Sequence, residues 1–224
     1  MKRVTQFIIS LVVFAATVAI PAFAGPPLAC HRLEIGDAKS LPWTGSSWNA
    51  SIQGYDTRNL TRDTLAILDG GAPVIVRMET LRRATLYGRS DARAAKELFT
   101  RLYQRADSNK SDSLAWFDAG YLAEAYKQWF GKEPNPAAGI DGYAMVVKAL
   151  ELRKGSDPEM EFAAALITIG TSSREHSEHT RKAIAGAKND VLLATNLAQQ
   201  FIGNQHETVS QALTKSMMVK EAQR

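Results

Sequence analysis

From residue 60 onward apolar residues recur at three- and four-residue spacing, and no stretch alternates convincingly with period two. A chain patterned this way has no strands for a sheet, so it can bury its apolar stripes only by packing helix on helix. Start and stop residues divide the run. Leu60–Asp69 ends at Gly70-Gly71, and Pro73 then stands where a first-turn proline opens a helix to about Tyr87. Asp91 caps the next helix, with Ala92, Ala95, Phe99, Leu102 and Ala106 on one stripe. Asp112 caps 113–130, which stops at Gly131, and Pro134-Asn135-Pro136 forms a loop before a helix over 140–153. Asp157-Pro158 opens 158–169, and Ser172 with Glu175 makes a capping box for 173–188. Asp190 opens 191–202, and Asn204 with Glu207 caps a last helix to about Ala222. The expectation is an all-α protein of about nine helices in antiparallel pairs with short connectors.

The chain's first 24 residues stand apart from this. Lys2 and Arg3 precede a charge-free run of 14 residues, Phe7 to Ile20, and Pro21-Ala22-Phe23-Ala24 ends small-x-small. That is the layout of a cleaved secretory leader of bacterial type, and the run is too short to span a bilayer. Cleavage after Ala24 places the mature chain in the periplasm or outside the cell. It also lowers the net charge from +4 to +2, because Lys2 and Arg3 leave with the leader. No later segment has enough continuous apolar residues to cross a membrane. A secreted chain with so small a charge is not expected to bind nucleic acid.

Residues 25–57 are rich in Gly, Pro and Ser and show no helical period. They read as an irregular arm laid over the helices of 58–224, anchored by Trp43 and Trp48. The arm carries the single cysteine, Cys30. Three positions before it stands Pro27, where a lipoprotein signal usually has Leu, so lipidation does not fit. A lone thiol in an oxidising compartment can instead link two chains as a dimer.

Helix starts near 140, 173 and 205 step by 33 and 32 residues. Lys148-Ala149-Leu150-Glu151-Leu152, followed by a break and a small-residue helix, is similar to the second helix of a tetratricopeptide repeat, whose period is near 34. Ala115-Trp116 with Gly120-Tyr121 resembles the first helix. Over roughly 112–222 the chain therefore resembles a tetratricopeptide-like helical solenoid. Where such a repeat usually ends in Pro, this chain has Lys154-Gly155-Ser156-Asp157. The resemblance implies a scaffold with a concave binding face.

Helices 113–130 and 158–169 are apolar nearly all round, which predicts that they are central. On the first, Asp118 falls among Leu114, Leu122, Ala125 and Trp129. A carboxylate on an apolar stripe needs a cation or donors, and Arg77, Arg82 and Arg83 are the candidate partners. With Trp116 and Tyr121 they make the candidate binding set. His176 and His179 lie three apart on one helix face and make a candidate metal pair, with His206 a distant third. Residues 77–110 carry a balance of +5 and residues 111–161 one of −4, so a basic zone adjoins an acidic one.

The sequence has no nucleophile elbow, phosphate loop, dinucleotide fingerprint or His-Glu-x-x-His, and no cofactor is expected. The leading expectation is a non-enzymatic interaction module binding a peptide or protein. The alternative is a small helical ligand-binder or enzyme acting on cell-envelope material with Asp118 in its site.

Overall fold

A computed structural model describes residues 27–45, 47–130, 134–154, 157–170 and 173–202. The predicted leader and the predicted last helix lie outside these residues. Among the described residues the protein is all-helical, with nine α-helices and no strand. They are α1 (Pro27–Cys30), α2 (Leu60–Asp69), α3 (Val74–Gly88), α4 (Ala92–Ser108), α5 (Ser113–Phe130), α6 (Gly142–Leu152), α7 (Pro158–Ile167), α8 (Ser173–Gly186) and α9 (Val191–Leu197). A 3-10 turn leads into α2 and another follows α8; a π-helical turn, Ala198–Ile202, extends α9.

Aspartates start these helices as their positions suggest. Asp91, Asp112, Asp141, Asp157 and Asp190 each accept one or two N–H groups of the first turn, at 2.9–3.1 Å. Each such cap contributes about 1 kcal/mol. Helix α3 lacks one: Pro73 precedes it, and a residue from α7 does the work instead, Glu159 accepting the Ile75 N–H at 3.0 Å.

Three helices form the centre. α5 and α7 are buried over most of their surface, as their all-round apolar sequence predicts. α3 is equally buried, although it carries Arg77, Glu79, Arg82 and Arg83. α5 packs against α1, α3, α4, α6 and α7; α7 packs in addition on α3, α8 and α9. α4 lies outside, burying Ala94, Ala95, Leu98, Phe99, Leu102 and Ala106 and leaving all its charges but half-buried Arg105 in water. Ala92, expected on that stripe, is exposed in the first turn.

The arm does lie over the helices, but its deepest anchors are aliphatic. Leu28, Ala29, Leu33, Ile35 and Leu41 are buried in the common core. Trp43 is half-buried over the Arg82 and Arg83 guanidinium groups, 4.9 and 5.5 Å from its ring centre. Trp48 meets Trp129 edge-on and stays exposed.

α5 and α6 approach closely because two glycines face each other. A Cβ at Gly120 would stand 2.6 Å from the Gly142 carbonyl oxygen and 2.8 Å from Met145 Cβ. Glycine inside a helix costs about 1 kcal/mol relative to alanine, so close packing outweighs propensity here. We expect Gly120→Ala to lower unfolding stability by about 1–3 kcal/mol, the usual cost of overpacking. Urea denaturation measures it; unchanged or greater stability would mean that the crossing has slack.

Candidate functional site

The predicted site residues divide into separate groups. Asp118 is buried in α5, and Arg77 of α3 is its partner, Nη1 to Oδ2 at 2.6 Å. Arg77 spends its other donors on the Leu68 carbonyl near the end of α2, at 2.5 Å, and on the Ala72 carbonyl in the loop that follows, at 2.9 Å. Arg82 and Arg83 are not Asp118 partners. They bind Glu79, three and four residues earlier on their own helix, at 2.7–2.9 Å. Local spacing places Glu79 within reach of both arginines, whereas Asp118 must come from another helix. Nor do these three arginines form a surface clamp, since all are buried.

The Glu79 cluster holds the arm. Arg82 donates to the Ala29 and Trp48 carbonyls at 3.0 and 2.7 Å, and Arg83 to the Leu41 carbonyl at 2.6 Å. Glu79 in turn accepts the Leu33 N–H at 3.0 Å. This is a structural tie rather than a ligand site. Trp116 and Tyr121 do not join it: Trp116 lies half-buried under Lys148 and Lys110, and Tyr121 stacks on Phe117 in the core.

The two histidines also diverge. His176 uses Nδ1 on the Ala165 carbonyl, at 2.9 Å. His179 sits between Glu161 of α7 and Tyr143 of α6, with Nδ1 2.5 Å from Glu161 Oε2 and Nε2 2.8 Å from the Tyr143 hydroxyl. Lys182 meets the other Glu161 oxygen at 3.2 Å. Among the described residues no three His, Cys, Asp or Glu are grouped to hold a metal, and His206 lies outside them.

Glu161, His179 and Tyr143 form a hydrogen-bonded line that ends at a cleft. The cleft, of about 630 Å³, lies beside α5, the 134–141 loop, α6 and the end of α7, and is lined by Glu124, Lys127, Asp141, Tyr143, Thr168 and Glu175 among others. Its size is ordinary for a ligand site. A carboxylate can only accept, so the Nδ1 proton belongs to His179, and Nε2 shares a hydrogen bond with the Tyr143 hydroxyl. Tyr143 thereby presents its phenolic oxygen at the cleft wall. Burial, with Glu175, Glu161 and Asp141 nearby, pushes its hydroxyl above the ordinary tyrosine value and keeps it protonated. Glu124 is nearly buried, accepts the Tyr143 N–H at 3.2 Å and meets Lys127 at 3.4 Å. The lining is rich in acceptors and net acidic.

Comparison with known proteins yields no match: no family model fits the chain, and neither a curated protein nor a solved structure is similar to it.

Glu161 could have been found from sequence. It is an acid on a helix apolar nearly all round, the same signal that singles out Asp118. Tyr143 carries no such signal, because only the fold brings it to His179.

Two consequences can be measured. Glu79→Gln leaves two buried guanidinium groups without a counter-charge, and we expect it to cost about 3–5 kcal/mol. Limited proteolysis should then cut within residues 31–56 before the helices; uncut arm would reject the tie. For Asp118, burial outweighs Arg77 and pushes the carboxyl from 3.8 up to about 6. Its Oδ1 has no hydrogen-bond partner among the described residues. The native state thus keeps a proton that the unfolded state has released, and stability falls as pH rises between these two values. Glu159, pushed up to about 7 mainly by burial, acts in the same direction. The comparison is therefore with Asp118→Asn, whose stability should gain on the natural protein across that window. A constant difference from acid to neutral pH would refute the assignment.

Proposed function

We propose that this chain is an exported interaction module that binds a peptide or protein segment and does no chemistry on it. In this reading the leader is removed after Ala24 and the protein works in the periplasm or outside the cell. Its helices pair antiparallel and stack in the manner of a tetratricopeptide-like solenoid. Packing of sequence neighbours, α5 on α6 and α7 on α8, supports the pairing.

The observation that carries the proposal is the lining of the cleft. Glu124, Asp141 and Glu175 outnumber Lys127, and Tyr143 adds a phenolic oxygen. Such a surface favours donors and positive charge. The occupant is a segment presenting a lysine or arginine side chain or a free amino terminus. A phosphate backbone would be repelled, so nucleic acid is not the partner.

A second reading rests on the Glu161–His179–Tyr143 line. A buried carboxylate, an imidazole and a hydroxyl at hydrogen-bond distance also suit proton transfer to a bound molecule. This is the small ligand-binder or enzyme acting on envelope material, with Tyr143 in place of Asp118. Asp118 is too buried to meet a ligand from solvent.

The test is binding of the 25–224 chain to a peptide library by fluorescence anisotropy. Basic peptides should be selected, and acetylation of their lysines should abolish binding. Ala138 is exposed on the cleft wall, so Ala138→Trp should block binding with little change in melting temperature. Tyr143→Phe should weaken binding about tenfold or more, the worth of a hydrogen bond to a charged group. Selection of acidic or purely apolar peptides, or binding untouched by Ala138→Trp, would overturn the proposal. Bound material recovered chemically altered, with the alteration lost in Tyr143→Phe, would put the second reading first.

A further inference from the structure

A second recess lies on the arm, away from the acidic cleft. It has a volume of about 450 Å³ and is lined by Cys30, His31, Arg32, Glu34, Ser47, Trp48, Gln199 and Gln200. Cys30 is the chain's one thiol, and it is neither fully buried nor fully exposed.

Two neighbours give the recess a chemistry of its own. Gln200 is 4% exposed, and its Oε1 is buried without a hydrogen-bond partner among the described residues, while its Nε2 reaches the Arg32 carbonyl at 3.4 Å. An orphaned acceptor at the wall of a recess fits an N–H supplied by a ligand. Arg32 meets Glu34 through a long contact of 3.4 Å, its one ion pair among the described residues. A guanidinium has five donors and binds a carboxylate well. Thiol, amide acceptor and guanidinium together match the groups of an amino-acid thiol: sulfur, N–H and carboxylate. The Trp48 ring adds an apolar wall.

We propose that Cys30 is a thiol–disulfide exchange site for small amino-acid disulfides, of which cystine and oxidised glutathione are the type, and that the resulting cap is seated in this recess. In the step, the Cys30 thiolate attacks one sulfur of R–S–S–R. A bond forms between Cys30 Sγ and that sulfur as the old S–S bond breaks, and its electron pair leaves on the second sulfur. The leaving thiolate takes up the proton that Cys30 gave away. Cys30 is oxidised to a mixed disulfide, half of the small disulfide is reduced to a thiol, and no other oxidant takes part.

Size favours a small partner over a second copy of the chain. A disulfide between chains needs Cα atoms about 4.4–6.8 Å apart. A second backbone would therefore have to enter a recess rimmed by Arg32, Trp48 and Gln199, whereas a free amino-acid thiol brings no chain with it. Burial pushes the Cys30 thiol above its ordinary value, with Arg82 pulling partly back. Exchange is accordingly slow at neutral pH and quickens as pH rises.

The test uses the reduced 25–224 chain, intact-mass spectrometry, and two disulfides. Oxidised glutathione carries carboxylates and amides; bis(2-hydroxyethyl) disulfide carries neither. A short peptide thiol in free solution supplies the reference ratio of the two rates. We expect Cys30 to favour oxidised glutathione over the neutral disulfide about tenfold more than the free peptide does, as one charge-assisted contact would give. The adduct should be single, released by dithiothreitol and lost in Cys30→Ser. Arg32→Gln, at a part-exposed position, should erase the preference, and Gln200→Leu should reduce it. A ratio equal to that of the free peptide, or one unchanged in Arg32→Gln, would overturn the proposal. So would a Cys30-linked dimer as the main product. None of these outcomes depends on what the acidic cleft binds.

Discussion

The structure depends on one buried carboxylate. Glu79 is fully enclosed, and it neutralises one of the two guanidinium groups that press against it. Taking three charges out of water is expensive, and the expense is met only when nearly every donor finds an acceptor. Here the acceptors are the backbone carbonyls of an arm that has no strand to join. The stretch that buries Leu33, Ile35 and Leu41 could not be covered as bare peptide, because unpaired backbone groups cost as much as lost hydrogen bonds. Arg82, Arg83 and Glu79 supply what a neighbouring strand would otherwise supply. That is why a charged helix, α3, lies in the middle of the protein.

The same logic recurs around α3. Asp118 on α5 takes Arg77, which also closes the end of α2, so one ion pair links three helices. Glu159 on α7 caps α3, and Glu161, two residues on, faces the other way to hold α8 and α6 through His179. Apolar contacts among Ala-rich helices are non-directional and would tolerate a shift by one turn. A buried acid that must meet a particular base would not. The interior of this protein is thus fastened by a few polar contacts set in a core that is otherwise aliphatic and aromatic.

Much of the helical outline was legible. Aspartates followed by three- and four-residue periodicity mark real helix starts, because a side-chain oxygen satisfies the orphan N–H groups wherever the chain later packs. Burial of α5 and α7 was equally legible, since an all-round apolar helix has no face to give to water. The burial of α3 was less legible. Its charges give no all-round apolar signal, and Arg82 and Arg83 turn inward to an arm that has no period of its own. The pairing of Asp118 was half legible: the need for a cation follows from its stripe, but the choice of Arg77 depends on Glu79 occupying the other two. Tyr143 was not legible at all, since its partners come from α7 and α8.

Charge counted along the chain also changes meaning once the fold is known. The basic excess of 77–110 loses Arg77, Arg82 and Arg83 to internal pairs, so it does not make a basic concave surface. Part of what remains lies in water on the outer face of α4, at Arg93, Lys96 and Arg101, with Glu97 among them. The acidic excess of 111–161 loses Asp118 and Glu161 in the same way but keeps Glu124 and Asp141 at the cleft, where α8 adds Glu175. The field that a partner meets there is therefore negative, although the chain as a whole is basic. A cation entering the cleft gains from acceptors already fixed by the fold, which is the arrangement that loses least when a ligand binds.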